Sequence, residues 1–120
     1  MSSDTFTWHA RPDERILYLD DPATPGARFL AVRRRGEEDW STACVLEAGE
    51  PEREVGEGLV DAHVAEEVVI KYAIQALARI HDVSPAPGIP DEEAGEAEVL
   101  IARLWRLLTA RWAPEQEQEP

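Results

Sequence analysis

One cysteine, one methionine and one lysine are all that these residue types contribute to 120 positions. With a single thiol, Cys44, no internal disulfide can form. In the setting WSTACVLEA that thiol reads as a small buried hydrophobe rather than a reactive group. No run approaches the roughly 18 apolar residues that a membrane span needs. The opening MSSDTFTWHARPDER lacks the basic start and apolar stretch of a secretory signal. These absences point to a cytoplasmic protein with no membrane partner.

Positive charge is scarce as well. Lys and Arg total 12 against 25 Asp and Glu, a formal net charge of −13. Phosphate backbones are held by Lys and Arg, so nucleic acid is disfavoured as a partner. The same charge attracts basic proteins and keeps the chain soluble. Histidine is limited to His9, His63 and His81, and no zinc-type helix spacing joins them. GEGLVDAH lacks the Lys and Ser/Thr of a phosphate loop, and no Gly-x-Ser-x-Gly elbow occurs. No cofactor or metal is expected, and the balance leans away from an enzyme.

What remains is a globular composition, with 43% hydrophobic and 31% charged residues. A chain of this length buries roughly two thirds of its unfolded surface, which permits one domain with a true core. FTWHA (6–10), RILYLDD (15–21), ARFLAVRRR (27–35) and WSTACVLEA (40–48) are short, apolar and separated by turn residues, as strands are. Short turns imply antiparallel neighbours. The acidic, glycine-rich run 47–58 reads as a solvated loop. Asp61 is placed to cap a helix reaching about His81, with Glu67 and Lys71 paired on its outer face. Three prolines and a glycine within 82–90 end it. Asp91 is placed to cap a second helix to about Ala113, acidic at its start and basic toward its end. Its apolar arc is interrupted only by Arg111. Residues 1–113 form the expected single domain, and the acidic, low-complexity segment 114–120 is expected to be disordered.

Three groups of residues are candidates for function. RRRGEEDW (33–40) has the form of a hairpin tip, with Arg33, Arg34 and Arg35 facing Glu37, Glu38 and Asp39 across the strands. The alternatives are a basic finger for nucleic acid or a grip on a partner's carboxylates. His63 and Glu66 stand at i, i+3 at the start of the first helix, with Glu66 on the apolar arc. There it would wall a ligand pocket as a desolvated carboxylate, or else reach solvent or an arginine such as Arg15 or Arg28. Trp105 and Trp112, one heptad apart, lie at the margin of the second helix's arc. They suit either plain core or a binding surface, with a homodimer as its simplest form.

The expected fold is α+β: an antiparallel meander of three or four strands followed by two helices on one face. The expected function is a small acidic protein-interaction module, such as an inhibitor, an immunity or antitoxin-like protein, or an accessory subunit. A small-molecule binder or small enzyme, using a pocket between sheet and helices lined by Glu66 and His63, is the alternative.

Overall fold

The computed structural model describes residues 7–88 and 92–112. Five strands come first: β1 (Trp8–Arg11), β2 (Glu14–Tyr18), β3 (Phe29–Gly36), β4 (Asp39–Val45) and β5 (Arg53–Leu59). Two helices follow, α1 (Ala62–His81) and α2 (Glu96–Trp112). The strands form one antiparallel sheet in the order β1-β2-β3-β4-β5. The architecture is therefore α+β, with one strand more than the turn signals suggested. Residues 114–120, expected to be a disordered tail, lie outside the described residues, as does Asp91.

The extra strand, β5, occupies the second half of the segment read as a solvated loop. Its glycines are not breakers; they allow two register irregularities against β4. A Cβ at Gly56 would sit 2.8 Å from Thr42 Oγ1, so only glycine permits this approach. Gly58 has φ 71°, the left-handed backbone of a bulge.

The pleat puts Leu17, Leu30 and Cys44 side by side across three strands, with Val32 and Thr42 one row on. Those side chains meet Val69, Ile70, Ala73, Ile74 and Leu77 of α1. Asp61 caps α1, its carboxylate accepting from the Val64 N–H at 2.8 Å. Lys71 pairs with Glu67 at 3.0 Å, as the spacing predicts.

The second helix begins five residues later than Asp91. Gly95 is its cap, and Glu98 Oε1 accepts from the Gly95 N–H at 2.9 Å, half of a capping box. The helix lies against α1, and Leu100, Ile101, Leu104 and Leu108 complete the core. Among the described residues, no helix is long and apolar enough to cross a membrane.

Candidate functional site

Arg33, Arg34 and Arg35 do lie at a hairpin, with Gly36 opposite Asp39 and Glu37–Glu38 at its tip. Their acidic partners, however, are not those of the tip. Arg33 bonds Glu14 at 2.9 Å and takes the Glu52 carboxylate with both terminal nitrogens. Those contacts hold the Arg33 guanidinium further into its charged form. Arg34 donates to the Gly36 carbonyl and stands 3.8 Å from Asp13. Arg35 donates to Ser41 and lies 3.6 Å from Glu54. The neutralising acids thus come from β2, its preceding turn, the β4–β5 connection and β5. Glu14 stands directly opposite Arg33 on the adjacent strand, so the cross-strand neighbour is reached before the tip.

Glu66 is only 4% exposed. One carboxylate oxygen accepts from Arg15 and the other from Arg111, each at 2.6 Å. The second nitrogen of Arg111 donates to the His63 carbonyl at 2.6 Å. His63 contributes its backbone here, while its side chain is exposed. The interruption of α2's apolar arc is thereby explained: Arg111 turns inward onto a buried acid of α1. The cluster ties β2, α1 and α2 together, with each Glu66 carboxylate oxygen held by an arginine.

A second ion-pair cluster holds the other end of α2. Arg28 is buried and grips both oxygens of Asp20 at 2.9 and 2.7 Å. It also reaches Glu96, the first residue of α2, at 2.8 Å. Its guanidinium holds the Asp20 carboxyl below the usual carboxylate range, chiefly through the side-chain hydrogen bonds.

Trp105 is half-buried against the core, and its indole N–H donates to the Pro85 carbonyl at 2.6 Å. It pins the connector after α1 onto α2, so its polar edge is committed within the chain. The side chain of Trp112 lies outside the described residues.

Two features went unread in the sequence. The first is the sheet face opposite the helices. There the register places His9, Ile16, Ala31 and Ala43 in one row, and Tyr18, Phe29 and Val45 in the next. Tyr18 stacks edge-on between His9 and Phe29, at ring separations of 5.7 and 6.2 Å. Among the described residues no helix covers this face. The signal was present: RILYL, RFLAV and STACVL are apolar in both phases of the alternation, as strands covered on both sides are.

The second is a cleft of about 480 Å³ between the β4–β5 connection and the C-terminal half of α1. Cys44 and Leu46 form part of its wall, with Tyr72 and Arg79 from α1 and Arg53 from β5. Burial pushes the Cys44 thiol up to about 11. Tyr72 beside Arg53 holds its guanidinium further into the charged form. Glu66 and His63 are not part of this cleft. No cluster of three or more His, Cys, Asp or Glu side chains suited to a metal forms among the described residues.

Compared with known proteins, the chain matches no family, no curated sequence and no solved structure at a significant level.

Proposed function

We propose that the chain is a small acidic protein-interaction module and that it docks its partner on the open face of the sheet. The observation that supports it is the group Ile16, Tyr18 and Phe29, half-buried on a face no described helix covers, with Ala31 and Val45 buried between them. An antiparallel sheet with one solvated face ordinarily turns polar residues outward. Half-exposed aromatic and aliphatic side chains grouped on one uncovered face offer a place where another surface can sit.

Charge selects the kind of partner. Exposed acids crowd the loops at both ends of the sheet: Asp21 at one, with Glu47 and Glu50, and Glu37 and Glu38 at the other. An apolar centre with an acidic margin suits a partner whose apolar residues are flanked by Lys and Arg. Arg33, Arg34 and Arg35 are engaged with acids of their own sheet, so they do not favour a nucleic-acid reading.

Ile16→Glu and Tyr18→Glu, made singly, test the reading. Each places a charge on the open face without touching the helix side. The native protein should purify in a complex with a basic partner, weakened by salt, and each variant should elute as a free chain with its melting temperature nearly kept. A parent that is monomeric and alone at all concentrations counts against the reading, as does a complex that survives both substitutions. A parent of twice the chain mass would make a second copy the occupant.

A further inference from the structure

The cleft is separate from the open face, because Cys44 and α1 lie on the helix side of the sheet. Its volume of about 480 Å³ falls within the range of small-molecule sites, about 300–1,000 Å³. Its polar chemistry is unusual for this chain. Acids outnumber bases about two to one, 25 against 12, and Arg15, Arg28, Arg33, Arg34, Arg35 and Arg111 all hold carboxylates. Arg53 and Arg79 both line the cleft, and neither has a carboxylate within ion-pair distance among the described residues, as is also true of Arg11 and Arg106 away from it. Two guanidiniums without an acid on one cleft offer charged donors to an external anion.

We propose that this cleft binds a small organic monocarboxylate: Arg53 and Arg79 take the carboxylate, and Leu46, Ala76 and Ile80 pack against an apolar body. Ile80, 43% exposed at the mouth, is one of the few large apolar side chains left open to solvent. Covering it adds apolar burial to binding. Glu52, also on the wall, is engaged by Arg33. Glu47 and Glu50 stand exposed on the loop at the rim and carry negative charge, which disfavours polyanions. Tyr72 adds a hydroxyl to the same lining.

Octanoate is the probe, with octyltrimethylammonium as the same apolar chain bearing the opposite charge. Amide chemical shifts are followed during titration of each into the folded protein. Octanoate should give saturable shifts at Cys44, Leu46, Arg53, Tyr72 and Arg79, and the cation should not. R53Q/R79Q should weaken octanoate at least tenfold without lowering the melting temperature, since both side chains are exposed. R53K/R79K should retain part of the binding. Shifts centred instead on Ile16 and Tyr18, equal binding of the cation, an absence of saturable binding, or unchanged affinity in R53Q/R79Q would each overturn the proposal.

Discussion

Glu66 shows how a single residue changes meaning when its neighbours arrive. On the helix wheel it is a carboxylate on an apolar arc. In the fold it is the shared acid of two arginines, with Arg15 about one-third exposed and Arg111 at 11%. From sequence, Glu66→Gln is expected either to leave stability unchanged or, for a lone buried carboxylate, to increase it. The geometry reverses that sign. Neutral Gln leaves the Arg111 guanidinium desolvated without its counter-charge, so the substitution should destabilise the fold by about 3 kcal/mol. Replacing both buried members, as Glu66→Leu with Arg111→Leu, should recover part of that loss, because the one charge left without its partner, Arg15, is about one-third exposed and reaches solvent. Urea unfolding of the two single variants and the double variant measures the coupling. Equal stability of the parent and Glu66→Gln would show that solvent, not the arginines, serves the carboxylate.

At the scale of elements, β5 and α2 show two different reasons why a boundary is misread. The segment before α1 is rich in Gly and Glu, the ordinary composition of a loop. It is a strand because Gly56 and Gly58 let it follow β4 through two bulges, and glycine's role there is close approach and positive φ. Gly56→Ala should therefore cost about 1–3 kcal/mol by overpacking against Thr42, whose hydroxyl is buried and cannot swing to solvent. Gly88→Ala, at a position with nothing nearby, is the control and should be close to neutral. Thermal unfolding of the pair checks this, and similar melting temperatures would rule out the tight approach. For α2, Asp91 was the cap that the local sequence suggested. The start instead lies at Gly95, where Glu98 reaches back to the Gly95 N–H and Arg28 holds Glu96 against the turn between β2 and β3.

For the whole molecule, −13 charges on one small domain repel each other, and only part of that repulsion is relieved by the clusters at Arg28, Arg33 and Glu66. The two clusters at the ends of α2 are the better sheltered, so salt screens them less than the exposed acids. Raising sodium chloride from about 10 to about 150 mM brings the screening length to about 8 Å, near the spacing of neighbouring surface acids. The melting temperature should rise across that range, because self-repulsion of the compact state falls faster than the sheltered pairs weaken. A melting temperature that falls with salt would place the balance with the ion pairs instead.

The α+β class, the strand-then-helix order, the cap at Asp61 and the Glu67–Lys71 pair were legible in the sequence because each depends on residues a few positions apart. Period-two and period-3.6 patterns, turn residues and capping side chains are local properties, and local chemistry decides them. The partners of Arg33, Arg111 and Trp105 were not legible. Each is chosen by contacts 19 to 45 residues away along the chain, and no local rule ranks one distant carboxylate above another. The open face and the cleft belong to the same group. A strand that is apolar in both phases announces two covered faces, but only the packing of both helices on one side shows which face no described helix covers. The cleft exists because β5 pairs with β4 beneath the end of α1, and that pairing depended on glycines whose purpose appears only when the neighbouring strand is in place.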